Sequence, residues 1–288
     1  MKHRPIAADN RPIADTDRPL SLSYYTVPEL TPMETVSVAA ACGCQHVGLR
    51  LLGGQPGNSE TDLLSDAALR RQMIRAMAAA GISALDANTI RLIASTEVTA
   101  FLPFFDAAAE LGARHVLTTV DDPDPKRRLD NLARLCEIAA TRELTIDFEF
   151  VPWLQLANLE QTAQLLEECA NPVLGISIDA LHLFRSHGDA EQIRRMPAEW
   201  FRYAQVCDAA TTTQPLTRAA FIHEATAERL PPGEGVIDLD ALLRALPPHI
   251  PLALEIPQLE LTRSAPALDR VKHAVAATRR VLQQIEHA

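Results

Sequence analysis

Polar side chains that could hold a metal ion stand at the ends of four apolar segments in the second half of the chain. The segments read TIDFEF, GISIDALH, YAQVCD and LALEIP. Near their ends they carry Glu149, Asp179, Gln205 together with Asp208, and Glu255. In a parallel α/β barrel the active site lies at the carboxyl ends of the strands, so we expect these side chains to converge.

Carboxylates and an amide brought together in a low-dielectric site repel one another or take up protons, unless a cation balances them. A divalent metal ion is the simplest such cation. Oxygen-rich ligation suits Mn²⁺ or Mg²⁺ and also accommodates Zn²⁺ or Co²⁺, so the residue types leave the identity of the metal open. Structural roles compete with this interpretation: Glu149 could pair with an arginine at the rim, and Asp179 could cap the following turn. Asp208 could take the place of Gln205 as a metal ligand, or it could cap a loop.

Eight short β-rich segments alternate with helical patterns from Pro19 onwards, as in a parallel sheet with crossover helices. The predicted strands span residues 20–24, 46–50, 82–87, 115–120, 144–150, 174–179, 201–207 and 251–256. The predicted helices span residues 32–42, 67–80, 98–111, 125–141, 159–169, 190–196, 239–246 and 267–287. Eight units without a compositional break, and without a glycine-rich phosphate loop, favour a closed (β/α)8 TIM barrel over an open doubly wound sheet.

The start of the chain and its charge limit the domain count and the partners. Residues 1–18 mix prolines, aspartates and arginines without periodicity, which predicts a loosely ordered extension before a single barrel domain over residues 19–288. A formal net charge of −10 argues against nucleic acid as a partner. No apolar run approaches the roughly 20 residues that cross a bilayer, and no signal-peptide pattern is present. Five scattered cysteines suit a reducing compartment. We therefore expect a cytoplasmic protein with no membrane partner.

Six motifs in order resemble the xylose-isomerase-like superfamily of TIM barrels, also called the sugar phosphate isomerase/epimerase group. They are SLSYYTVPELTPMETVSVAAACGCQHVGLR, FEFVP, SIDALHLFRSHGD, YAQVCDA, RLPPGEGVIDL and LALEIP. The resemblance covers the chain from about Pro19 to its end. The group also contains dehydratases of cyclic polyols and endonuclease-IV-like enzymes, and it often forms dimers. The resemblance therefore implies a metal-dependent barrel and makes a homodimer the expected assembly.

The resemblance also implies roles for individual residues. It implies one divalent metal ion with four ligands, Glu149, Asp179, Gln205 and Glu255. His182, in a D-x-x-H arrangement with the aspartate, is implied to face a substrate oxygen. Arg229 begins the RLPPGEG turn and is implied to bind a hydroxyl, carboxylate or phosphate of the ligand, a task that suits its fixed fork of donors. Alternatively, His182 could be packed under the following loop, and Arg229 could be a surface arginine before a loop. Further candidates for the pocket wall are Tyr24, Arg50, His223 and Glu224.

A metal ion at such a site polarises a carbonyl group, so that a carboxylate or imidazole can remove the adjacent proton and form an enediolate. Glu149 and Glu255 are the expected acid/base pair. Reprotonation gives isomerisation or epimerisation, whereas expulsion of a β-hydroxyl group, with His182 as proton donor, gives dehydration. The first hypothesis is a metal-dependent isomerase or epimerase of a keto-sugar or a related small polyhydroxy carbonyl compound.

Other functions stay open at this point. The runner-up is a dehydratase of a cyclic polyol or keto acid, for which Gln205 is the discriminating residue. Many sugar epimerases of the superfamily have histidine at that position, whereas glutamine resembles the dehydroshikimate-dehydratase-like branch. A non-catalytic metabolite-binding barrel is a third hypothesis, and an endonuclease-like phosphodiesterase would need clustered histidines and a basic surface. Phosphate recognition has few candidates, namely Arg50, Arg185 and Arg229, so the sequence does not decide whether the substrate is phosphorylated.

Overall fold

Eight parallel strands close into one barrel in the computed structural model, which describes residues 18–52, 62–212 and 216–287. Neighbouring strands pair in sequence order, and the first strand closes on the last. The strands are β1 (Leu20–Leu22), β2 (His46–Arg50), β3 (Ser83–Leu92), β4 (His115–Val120), β5 (Thr145–Phe148), β6 (Leu174–Asp179), β7 (Phe201–Val206) and β8 (Leu252–Leu254). The closed (β/α)8 barrel expected from the sequence is confirmed.

Helices cover the outside of the barrel and follow the predicted crossovers. They are α1 (Pro32–Ala41), α2 (Ala67–Ala80), α3 (Leu102–Glu110), α4 (Pro125–Ala140), α5 (Leu159–Cys169), α6 (Ala180–Arg185), α7 (Ala190–Arg194), α8 (Arg218–Ala227), α9 (Leu239–Ala245) and α10 (Ala267–His287). Local signals fix several ends: Thr31 and Glu34 form a capping box at α1, and Gly81 ends α2 at φ 68°. Within the described ranges, no helix has both the length and the apolar character needed to cross a membrane.

The largest departures from the predicted elements lie in three places, and other strand and helix bounds differ by a few residues. β3 continues to Leu92 through a register shift against its neighbours, so it is longer than predicted. α6 is too short to show periodicity in the sequence and is capped by Asp179 at the end of β6. α8 was not predicted, because its alanine-rich sequence has little amphipathic character. Both additional helices follow strand ends and border the site described below.

Arg18, the last residue of the predicted N-terminal extension, is packed into the barrel domain. Residues 1–17, for which a loosely ordered extension was predicted, lie outside the described residues. Arg18 had been placed in the extension, but its side chain is fully buried and donates hydrogen bonds to the carbonyl groups of Leu243 and Pro247. Arg279 in turn donates to the Arg18 carbonyl at 2.9 Å. Residue 18 therefore packs against the C-terminal part of the chain.

Strand alternation separates an apolar outer layer from a more polar barrel interior. In β6, Ile176 and Ile178 belong to the main apolar core, so Ser177 and Asp179 face the opposite side, toward the barrel axis. Gly175 shares that inner face, where a Cβ atom would lie only 2.5 Å from Asp147 Oδ1. A glycine is required there because the side chains of neighbouring strands approach the backbone closely. The same alternation aims the last residues of the strands into the carboxyl-terminal mouth.

Candidate active site

The four predicted metal ligands lie at the carboxyl ends of four consecutive strands. Asp179 ends β6 and pairs in register with Gln205 of β7, while Glu149 and Glu255 directly follow β5 and β8. All four side chains are buried. Glu149, Asp179 and His182 each offer one ligand atom, and these three atoms lie within 4.8 Å of one another. Strand ends far apart in sequence thus bring acidic and imidazole groups into one cluster.

Gln205 connects Glu255 to this cluster. Gln205 Nε2 donates to Glu255 Oε2 at 2.6 Å, and Ser23 Oγ donates to the same oxygen at 3.0 Å. Gln205 Oε1 and His182 Nδ1 are buried and have no hydrogen-bond partner among the residues that the structure describes. Because buried polar atoms are normally bonded, these two atoms mark places for a ligand. Carboxylate oxygens, an amide oxygen and an imidazole nitrogen are donors that Mn²⁺, Mg²⁺, Zn²⁺ or Co²⁺ accept, so the residues fit a divalent ion.

Arg229 lies among the carboxylates, with its side chain almost fully buried. Its Nη1 is 2.6 Å from Asp179 Oδ2, and its Nη2 is 3.5 Å from Glu255 Oε1. Two further contacts are with backbone, since Nε donates to Ala225 O at 2.9 Å and Nη1 to Glu255 O at 3.3 Å. The guanidinium therefore ties the last turn of α8 to two predicted ligands. In this arrangement it acts as an internal counter-ion more than as an open binding group.

Burial and mutual repulsion shift the pKa values of the cluster. Burial raises the pKa of Glu149 well above its ordinary value, and the charges of Glu255 and Asp179 add to the effect. Burial also raises the pKa of Glu255. Burial opposes ionisation of Asp179 as well, but Arg229 holds its pKa below the ordinary value. Burial lowers the pKa of His182 to about 4, which leaves a neutral imidazole near pH 7. The metal-free cluster favours protonated glutamates, and a divalent cation would favour their release of protons.

One cavity of about 350 Å³ opens onto this cluster. Among the predicted site residues, those that line it are Tyr24, Arg50, Glu149, His182, Arg229 and Glu255. The Arg50 guanidinium stands 5.3 Å from the centre of the Tyr24 ring. The cavity thus combines an acidic floor with an aromatic and cationic side wall.

Three predicted pocket residues have other partners. The exposed side chain of His223 pairs with Glu228 at 2.9 Å and is not among the residues that line the cavity. On α8 it is Ala225 and Thr226 that face the cavity. Glu224 instead accepts hydrogen bonds from Arg185, the nearest at 2.5 Å. Arg185 is thereby engaged outside the cavity, which leaves it poorly placed to bind a substrate phosphate.

Asp208, the alternative to Gln205, has a structural role. Its two carboxylate oxygens accept backbone N–H groups from Ala209, Gly233, Gly235 and Ile237 at 2.8–3.0 Å. Its backbone also pairs with Leu230 in both directions. Asp208 therefore shapes the PPGEG turn directly after Arg229.

We expect Asp208→Ala to lower the free energy of unfolding by about 3 kcal/mol, because several part-buried N–H groups lose their acceptor. Urea unfolding at neutral pH measures this change. Asp238→Ala is the matched control, since the Asp238 side chain caps α9 through the single N–H of Ala241, and its loss should be about 1 kcal/mol. Equal losses in the two variants would contradict the assigned role.

Several residues of the site were missed from the sequence. Trp153 lines the cavity and packs edge-on against His182, with ring centres 5.4 Å apart. Ser23, which holds Glu255, directly follows β1. Tyr25 and Thr119 also line the cavity. The rule used for the carboxylates, that residues at carboxyl ends of strands face the site, would have found Ser23 and Thr119 if it had been applied to uncharged side chains.

Comparison with protein families gives one match over most of the chain. A family model described as xylose isomerase-like TIM barrel matches residues 36–281. The solved structure described as IolI protein with a binding zinc atom superposes with a TM-score of 0.78 at 18% identity, covering 92% of this chain and 98% of that one. At this identity the superposition supports the fold alone.

Two curated proteins are similar in sequence over part of the chain. The 3-dehydroshikimate dehydratase of Pseudomonas putida is 29% identical over 161 residues, which are 53% of this chain and 25% of that protein. The 3-dehydroshikimate dehydratase of Pseudomonas aeruginosa is 30% identical over 145 residues, which are 48% of this chain and 22% of that protein. The chain therefore matches only about a quarter of the length of these relatives.

Proposed function

The chain belongs to the xylose isomerase-like TIM barrel family, and from this we propose that it is a divalent-metal-dependent dehydratase of a small hydroxylated keto acid. The observation that carries the proposal is the cluster of Glu149, Asp179, Gln205 and Glu255, of which Glu149 and Glu255 line one cavity. Glutamine at the third position favours the dehydratase branch over the histidine-containing sugar epimerases. The two dehydratases similar to this chain support the same choice.

Three residues that line the cavity are assigned roles in this reaction. When bound, the divalent ion would supply Lewis-acid polarisation of the substrate carbonyl. Glu149 takes the proton next to that carbonyl, and Glu255, held by Ser23 and Gln205, orients the polar end of the substrate. His182, as a neutral imidazole, passes the proton gained by Glu149 to the departing hydroxyl group, which then leaves as water while the C–O bond breaks.

The side wall of the cavity suits the rest of such a substrate. Tyr24 and Trp153 line the cavity and offer apolar faces for a ring. Arg50 lines the same wall beside the Tyr24 ring, and we assign the acid group to it because of this position, whereas Arg185 does not line the cavity. A guanidinium matches a carboxylate through two parallel hydrogen bonds.

Epimerisation of a keto-sugar is the second candidate. It is favoured by one specific observation, the presence of two glutamates, Glu149 and Glu255, in the wall of the same cavity. Two carboxylates can remove a proton from one face of a carbon and return a proton to the other face. An enediolate is common to both reactions, and they differ in whether a β-hydroxyl group is lost.

A two-part assay separates the candidates. Protein reconstituted with Mn²⁺ is incubated in D₂O with 3-dehydroshikimate or with a panel of keto-sugars, and products are followed by mass spectrometry. We expect loss of one water molecule from the keto acid. Deuterium incorporation into a keto-sugar without loss of water would transfer the assignment to epimerisation. Metal-loaded protein that changes no compound of either panel would support the non-catalytic barrel.

A further inference from the structure

The amino-terminal end of the barrel contains a second cavity, of about 550 Å³. Residues at strand starts line it, including His46 of β2, His115 of β4 and Phe201 of β7. A strand rises about 3.3 Å per residue, so six-residue β4 places roughly 20 Å between this cavity and the carboxyl-terminal cluster. A small molecule in one cavity therefore cannot reach the other.

Groups that can carry positive charge dominate the lining of this amino-terminal cavity. They are His46, Arg114, His115, Arg202 and His249, whereas the acidic side chain in the lining is Glu199. This local excess stands out in a chain with a formal net charge of −10. A concave surface of one sign concentrates small ions of the opposite sign.

The nearest buried carboxylate is already balanced. Asp147 is fully buried and lies 3.1 Å from Arg202 Nη1 and 3.2 Å from His115 Nδ1. Arg202 also donates hydrogen bonds to the carbonyl groups of residues 172–174. Arg202 and His115 thus form a fixed polar wall whose charge is largely compensated. The uncompensated charge of the cavity must come from other residues.

Arg114 is the main source of that charge. Its exposed guanidinium makes no hydrogen bond or ion pair with any part of the chain that the structure describes. After burial, the charges of Arg114 and His115 are the next causes that lower the pKa of His46. Arg114 and His46 line the same cavity, and an anion between them would favour the protonated form of His46.

We propose that this amino-terminal cavity binds the phosphate group of a small metabolite, with Arg114 as its main partner. His46 and His249 complete the contact from other sides of the cavity. His46 is oriented for this by the 2.7 Å hydrogen bond between its Nδ1 and Ser83 Oγ, which leaves Nε2 for the ligand. A tetrahedral dianion can accept hydrogen bonds from several directions, which fits donors spread around a cavity better than a planar carboxylate does.

Calorimetric titration with inorganic phosphate tests the proposal on the full chain, at ionic strength held constant with NaCl. We expect saturable binding that weakens by at least about tenfold in Arg114→Ser, since a charged hydrogen-bond partner is lost. Arg71→Ser is the matched control, because Arg71 is also an exposed arginine but lies on α2, and this variant should bind phosphate like the unmodified chain. Arg50→Ser and Glu255→Gln should also leave binding unchanged, because they alter only the carboxyl-terminal cavity.

Any one of several results would overturn the proposal. They are absence of saturable binding, unchanged affinity in Arg114→Ser, and a loss of affinity in Arg50→Ser that equals or exceeds the loss in Arg114→Ser. Citrate binding at the same site without phosphate binding would also overturn it, because the argument depends on a tetrahedral group. None of these results bears on the dehydratase assignment, which concerns the opposite end of the barrel.

Discussion

Replacing Glu149 or Glu255 by glutamine should leave the protein folded but nearly free of metal, and should lower turnover by about a thousandfold or more. Each substitution removes one negative charge and keeps the shape of the side chain. The ligand set then holds a divalent cation less strongly, and the site loses a group that moves or orients the reacting proton. Both variants should relieve the repulsion that raises the pKa of the glutamates, so we expect no loss of stability in the metal-free state.

Elemental analysis after reconstitution with Mn²⁺ and removal of free ion measures this expectation. The unmodified chain should retain close to one equivalent, and each variant less than about a tenth of that amount. Glu224→Gln is the matched control, because Glu224 is also buried near the site but pairs with Arg185 outside the cavity. Metal content that stays near one equivalent in both glutamine variants would contradict the four-ligand site.

His182→Asn decides between two roles for the histidine. One of its ring nitrogens lies within 4.8 Å of the Glu149 and Asp179 carboxylate atoms, yet its place after the strand end that carries Asp179, a predicted ligand, suits contact with a substrate. A substrate-facing histidine predicts that the variant keeps its metal and loses turnover. Loss of metal in the same elemental analysis would make His182 a ligand.

The sequence predicts the strand-borne part of this site better than the loop-borne part. Asp179 and Gln205 could be placed because a strand has a fixed direction and a period of two, so its carboxyl end is recognisable from a run of apolar residues. His223 could not be placed in the same way, because its orientation depends on α8, a helix whose alanine-rich sequence does not reveal which face is buried. The strand-end rule could place Ser23 at the site, but its hydrogen bond to Glu255 is known only from the fold, in which the 3₁₀ turn after β1 lies beside that residue.

The charge balance of the site was also beyond the sequence. Arg229 is implied by family resemblance as a ligand-binding group, and only the folded chain shows its guanidinium 2.6 Å from Asp179. Such a pairing joins residues that are 50 positions apart in the sequence. Pairwise electrostatics of this kind depends on distances of a few ångströms, which no local pattern encodes.

Arg229→Met should therefore make the stability of the protein depend on metal. In the metal-free state the substitution leaves the buried Asp179 carboxylate without its guanidinium partner, which should cost about 3–5 kcal/mol of unfolding free energy. A divalent cation bound among the same carboxylates replaces the missing positive charge. Mn²⁺ should consequently stabilise this variant more than it stabilises the unmodified chain, in which Arg229 already offsets the acidic groups.

Urea unfolding in EDTA and in excess Mn²⁺ measures both effects. Arg185→Met is the matched control, because it breaks another buried arginine–glutamate pair whose carboxylate, Glu224, is not a predicted ligand. That variant should lose stability in EDTA and gain no more from Mn²⁺ than the unmodified chain does. If Arg229→Met also gained no more stability from Mn²⁺ than the unmodified chain does, the guanidinium would only hold α8 in place. A metal ion would then not replace its positive charge among the carboxylates.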